Sequence, residues 1–151
     1  LCYEKGRGIK QDASKAFEFF QKSAEKGNSN GFLYVGLCYE KGKGTKQDYA
    51  KAFDSFQKSA DKGNSDALYN IGSCYEKGKG VKQDLSIAME YYNKAAEQGN
   101  QDALFYLGCC FAKGRGVKQS YQKAIEYYQK AAQNGNSEAK TKLKKIQKKT
   151  K

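Results

Sequence analysis

The chain has 151 residues, 38% of them hydrophobic, and its 28 lysines and arginines against 16 acids give a formal net charge of +12. No run approaches the roughly 18 apolar residues of a membrane-spanning helix, and the absence of histidine removes the commonest general base and triad partner. Low apolar content can signal disorder, but 12 tyrosines, 8 phenylalanines and no proline point instead to a helical fold with wet faces.

The chain opens in mid-pattern. Leu1-Cys2-Tyr3-Glu4-Lys5-Gly6 returns as Leu37-Cys38-Tyr39-Glu40-Lys41-Gly42 and as Ser73-Cys74-Tyr75-Glu76-Lys77-Gly78, each 36 residues on. Cys109-Cys110-Phe111-Ala112-Lys113-Gly114 is a looser fourth copy. A fixed period of this size marks a solenoid of stacked units, which usually presents a surface to a partner. With no initiator methionine, the sequence is expected to be a stretch of a longer array. It divides into a partial repeat (1–28), three full repeats (29–64, 65–100, 101–136) and a basic C-terminal capping helix (137–151).

In the first stretch, a helix is expected to begin near Asp12 and end before Gly27. Each full repeat then holds two helices, A and B. In the central copy, Ala67, Leu68, Ile71, Cys74 and Tyr75 fall at helical spacing on helix A. Gly78 and Gly80 end it, because glycine accepts the left-handed conformation of a helix C-terminus. Asp84 suits the N-cap of helix B, whose buried stripe is Ala88, Tyr91 or Tyr92, Ala95 and Ala96. The same template places helix A over about 30–41 and 102–113, and helix B from Asp48 and Ser120 to just before Gly63 and Gly135. Gly36, Gly72 and Gly108 lie inside helix A, where glycine costs about 1 kcal/mol relative to alanine. The in-register cost predicts close helix approach, against the Ala16, Ala52, Ala88 and Ala124 series. The last helix keeps only Ala139, Leu143 and Ile146 on its apolar stripe. Residues 138–151 carry seven lysines and one acid, as suits an array's polar end.

Cys2, Cys38, Cys74 and Cys110 stand 36 residues apart. Stacked helices separate equivalent sites by about 10 Å, beyond the roughly 7 Å that a disulfide spans. Reduced, buried thiols fit a cytoplasmic protein. A ladder of this kind does not converge into a thiolate metal site. Cys109 is off the ladder and is a candidate reactive thiol. The Gly-x-Gly loops follow a helix, whereas phosphate-cradling glycines follow a strand and open a helix. Glu18, Asp54, Glu90 and Glu126 each precede a lysine by four residues (Lys22, Lys58, Lys94, Lys130), the pattern of a solvated helix face. No catalytic residue, cofactor or metal is therefore assigned.

Three segments carry a family resemblance: Ala67 to Tyr75, the Gly78-Lys79-Gly80-Val81-Lys82-Gln83-Asp84 loop, and Lys123 to Gly135 with its Tyr127-Tyr128 and Lys130-Ala131-Ala132. They resemble the Sel-one-like repeat (SLR), a relative of the tetratricopeptide repeat, whose unit is about 34 residues. The longer loop of the SLR corresponds to residues 78–81. The resemblance implies an all-α, right-handed α/α superhelical solenoid with the A helices on its concave face, and a non-catalytic adaptor role. One bacterial branch of the family carries two cysteines per repeat and forms disulfides; this chain has one per repeat. The tetratricopeptide groove positions carry over to Asn30, Leu33, Leu37, Glu40 and Lys41, to Asp66, Tyr69, Ser73, Glu76 and Lys77, and to Asp102, Phe105, Cys109, Ala112 and Lys113. Leu33, Tyr69 and Phe105 would take apolar side chains of a protein or peptide, and Lys41, Lys77 and Lys113 its carboxylates.

Two alternatives stand beside this. One is a structural spacer within a larger protein. The other, ranked lower, is a nucleic-acid surface built on Lys10, Lys46, Lys82 and Lys118 with stacking tyrosines. Against it, Tyr3, Tyr39, Tyr75, Tyr91 and Tyr92 fall at core spacing, and Asp12, Asp48 and Asp84 neighbour three of those lysines.

Overall fold

Asparagines and glycines punctuate the chain. The computed structural model describes the backbone of residues 2–149 and the side chains of residues 12–148. The A helices are α2 (Ser29–Lys41), α4 (Ser65–Lys77) and α6 (Gln101–Lys113), and the B helices are α3 (Tyr49–Asp61), α5 (Leu85–Glu97) and α7 (Tyr121–Gln133). α1 (Cys2–Glu25) precedes them and α8 (Ser137–Lys149) follows. Among the described residues there is no strand, so the fold is all-α. The side chains of Cys2, Tyr3, Lys10 and Lys151 lie outside the described residues.

Each A helix starts at an asparagine whose side chain accepts backbone N–H groups: Asn28 from Asn30 and Gly31, Asn64 from Asp66 and Ala67, Asn100 from Ala103. Each ends on a left-handed glycine, Gly42, Gly78 or Gly114, whose N–H donates to the carbonyl of Cys38, Cys74 or Cys110. A glutamine then locks the loop. Gln47, Gln83 and Gln119 Nε2 donate to the carbonyls of Glu40, Glu76 and Ala112 at 2.8, 2.7 and 2.8 Å. Asp48, Asp84 and Ser120 cap the B helices, as their spacing predicts.

The first stretch departs from that template. α1 runs unbroken from Cys2 to Glu25, through Gly6 and Gly8 and past the expected start at Asp12. In the later copies the loop lies on a preceding B-type segment: a Cβ on Gly44 would collide with the Ala13 carbonyl, and one on Gly80 with the Tyr49 carbonyl.

The chain comprises two compact units, residues 1–83 and 84–151. In the first, α2 packs against α1 and α3, and α3 against α4. Phe17, Ala24, Val35 and Cys38 form one apolar cluster there. Phe17 meets Tyr39 edge-on at 5.3 Å, and 36 residues later Phe53 meets Tyr75 edge-on at 5.7 Å. The Ser59 hydroxyl donates to the Ser29 carbonyl at 2.7 Å, tying α3 to the start of α2. In the second unit, α6 packs against α5 and α7, and α7 against α8. Leu104, Ala124, Tyr128, Ala131, Ala139 and Ile146 form its cluster. Within α5, Tyr92 is the buried tyrosine and Tyr91 is half-exposed; Met89 joins the buried stripe.

Glycine inside helix A does permit close approach. A Cβ on Gly36 would stand 2.5 Å from the Phe56 ring and 3.2 Å from the Ala52 carbonyl, and one on Gly108 2.6 Å from the Tyr128 ring. The nearest neighbour is thus an aromatic ring one turn beyond the expected alanine. Of the four i, i+4 pairs, only Asp54–Lys58 closes among the described residues, at 2.8 Å. Lys94 instead sits 5.0 Å over the Tyr91 ring. Exposed pairs of this kind gain too little to fix their side chains.

Candidate binding faces

In the first unit the N-termini of α2 and α4 are joined where Asn64 Nδ2 donates to Asn30 Oδ1 at 2.9 Å. Asn30, Lys41, Asp66 and Lys77 are exposed on these helices; Leu37, Tyr69, Ser73 and Glu76 are half-buried. Leu33 is buried, at 5% exposure, so it offers a ligand no surface. A leucine ends short of the surface at the register position where the larger Tyr69 and Phe105 remain half-buried. Glu40 is engaged as well: it pairs with Lys79 at 2.9 Å, and the hydrogen bond raises the Lys79 pKa.

In the second unit, Asp102 and Lys113 are exposed on α6, and Phe105, Cys109 and Ala112 are half-buried. Phe105 tilts against Tyr128 at 5.8 Å, and the Tyr128 hydroxyl donates to Cys109 Sγ at 3.4 Å. Burial, and then that bond, push the Tyr128 pKa upward. Lys41, Lys77 and Lys113 form no ion pair among the described residues. The loop lysines Lys46, Lys82 and Lys118 are exposed, while Asp48 and Asp84 are turned to N-capping.

Cys38, Cys74, Cys109 and Cys110 are free thiols. Burial raises the Cys38 pKa and pushes that of Cys74 up to about 11, which makes them poor nucleophiles and ligands. Among the described residues no group of three or more cysteines and acids could hold a metal ion, and no helix is long and apolar enough to cross a membrane.

Concave surface also appears without a signal in the spacing, between a B-type helix and the next. In the first unit a cleft of about 340 Å³ lies among α1, α2 and α3, floored by Ala24, Phe32, Val35 and Tyr39. The register-equivalent place in the second unit holds two concavities, of about 360 and 150 Å³, that share Tyr127 as a wall and are bounded by α5, α6 and α7. These residues belong to the buried stripe by spacing, and only packing reveals that part of the stripe stays open.

The repeated caps, glycine loops and helix pairs match a known profile, that of the Sel1 repeat, at residues 1–28, 33–64, 65–100 and 101–136. The chain belongs to the Sel1 repeat family. It is similar to a Sel1 repeat protein from Oxalobacter formigenes, with 35% identity, 93% of this chain and 58% of that one covered, and a TM-score of 0.82. It is also similar to c5321, a protective antigen of uropathogenic Escherichia coli with an SLR fold, at 34% identity, 95% and 31% coverage and a TM-score of 0.79. Helicobacter pylori cysteine rich protein B shares 29% identity over 89% of this chain and 97% of that one, with a TM-score of 0.69. The chain thus spans 58% and 31% of the lengths of the first two. No curated protein matches it. Sel1 repeats are in general protein-interaction scaffolds, and this chain has their all-α helix-pair fold.

Proposed function

We propose that this Sel1 repeat chain is a non-catalytic binding segment that takes a protein or peptide on its A-helix face. The observation that carries the reading is the contrast between framework and face. At framework positions the repeats agree: Ala67, Ala103 and Ala139 are fully buried, and Cys38, Cys74 and Cys110 are buried in register. On the A-helix face they differ, with Asn30, Asp66 and Asp102 at one position and Leu37, Ser73 and Cys109 at another. Stacking needs only the framework, so the varied face is free to encode a partner. In each unit a half-buried aromatic, Tyr69 or Phe105, is followed two turns on by an exposed lysine, Lys77 or Lys113, with no ion-pair partner among the described residues. An extended or helical segment carrying an apolar side chain and a carboxylate at that spacing fits both.

A peptide-display selection on the folded chain, counter-selected against Tyr69→Ala/Lys77→Ala, tests this. A recurring apolar-acidic motif that binds the parent alone is the expected result. No enrichment from a cooperatively melting protein would favour the structural spacer instead. Enriched acidic sequences whose binding collapses with salt, and depends on Lys140, Lys144 and Lys148, would favour the basic surface.

A further inference from the structure

The cleft among α1, α2 and α3 lacks one ring that its counterpart in the second unit carries. Residues 19, 55, 91 and 127 are in register and read Phe19, Ser55, Tyr91 and Tyr127, so serine replaces an aromatic once. In the second unit Tyr127 stands in the equivalent place and stacks on Phe111, with ring centroids 5.5 Å apart and planes 9° from parallel. Lys123 lies over the other partner of that stack, 5.2 Å from the Phe111 centroid. In the first unit the same frame is present. Tyr39 occupies the register position of Phe111, and Lys51, equivalent to Lys123, lies 5.5 Å over its ring. The stacking partner is missing, because Ser55 turns its hydroxyl back to the Lys51 carbonyl at 2.8 Å.

We propose that this cleft is a receptor site for an uncharged aromatic side chain, phenylalanine- or tyrosine-like, presented by a partner protein. The incoming ring takes the place over Tyr39 that Tyr127 takes over Phe111. The second unit itself shows which chemistry fits: an offset, near-parallel ring on a floor already bearing a cation. Charge argues for a neutral occupant. Lys58 on the rim is paired with Asp54 at 2.8 Å, and Lys51 is 3.8 Å from Asp48, so both cations already face an acid of the chain. Phe32 and Tyr39 on the floor remain half-buried, with apolar area that a ring would cover. The site is separate from the A-helix face and does not rest on that reading.

The test is a backbone-amide NMR titration with N-acetyl-tyrosine amide as the probe. Wild-type protein is expected to show saturable shifts at Phe32, Val35, Tyr39 and Ser55. Ser55→Tyr, which installs the residue of the sister repeats, is expected to weaken binding at least tenfold while keeping a cooperative melt. Tyr127→Ser is expected to create a second binding place, with new saturable shifts at Leu104, Phe111 and Lys123; a gain of this kind cannot come from misfolding. Tyr69→Ala/Lys77→Ala is expected to bind the probe as wild type does. Absence of saturable shifts at the cleft, undiminished affinity in Ser55→Tyr, or no gain in Tyr127→Ser would each overturn the proposal.

Discussion

Gly36 faces Phe56 so closely that a Cβ at position 36 would stand 2.5 Å from the ring. Phe56 has no exposed surface and its ring has little room to retreat. Gly36→Ala is therefore expected to destabilise the chain by about 1–2 kcal/mol: overpacking costs about 1–3, and the better helix propensity of alanine returns up to about 1. Chemical denaturation of the two proteins checks this. An unchanged or raised midpoint would mean that α2 and α3 can part without loss.

The Glu40–Lys79 pair links the end of α2 to the loop after α4 and is largely shielded, with 18% and 29% of the two side chains exposed. Lys79→Met is expected to cost about 1 kcal/mol, since it leaves a shielded carboxylate without its partner. The hydrogen bond that Lys79 donates to Glu40 raises the Lys79 pKa above 10.5 in the folded state. The stabilisation is therefore complete below the unfolded value of 10.5 and disappears as pH rises through the raised folded value. Denaturation midpoints of wild type and variant should differ by a constant amount around neutral pH and converge in strong alkali. A gap that widens with alkali would contradict the pairing.

How much of this was readable from the residues depends on whether a signal is local. The A and B helices of the full repeats, the glycine C-caps of the A helices and the Asp48, Asp84 and Ser120 N-caps follow from local chemistry and emerge within a residue or two of expectation. Asn28, Asn64 and Asn100 were equally local signals, but each lies beside a left-handed glycine and reads as the end of one helix before the start of the next. The glutamine locks need a carbonyl seven residues back, which spacing alone does not single out. The start expected at Asp12 is overrun, because α1 continues through Gly6 and Gly8. At the binding faces, spacing gave the rows of side chains. It could not show that Leu33 is swallowed, or that Ser55 leaves Tyr39 without the stacked ring that Tyr127 gives Phe111.

Asn64 serves α4 twice, capping its first turn and donating to Asn30 across to α2. Asn64→Ala is expected to lower stability by about 1–2 kcal/mol, and Asn64→Asp by less, because the aspartate retains the cap and loses only the donor. Thermal melts of the three proteins rank them. Equal losses in both variants would show that the link to Asn30 outweighs the cap.

Thiol reactivity follows burial. Cys74, whose pKa burial pushes up to about 11, and Cys38 and Cys110, also buried, should resist alkylation by iodoacetamide in mild alkali; half-buried Cys109 should label before these three. Peptide-level mass spectrometry over a labelling time course reads the order. Labelling of Cys74 ahead of Cys109 would contradict the packing of α4.

The claim that the A-helix face receives the partner is tested most directly by amide hydrogen exchange, with and without a peptide selected on the folded chain. The account predicts protection concentrated on α4 around Tyr69, Ser73 and Lys77, with the Tyr69→Ala/Lys77→Ala variant unprotected at the same peptide concentration. Protection confined to α3 and the cleft beside Ser55, or the same protection in the variant, would contradict it.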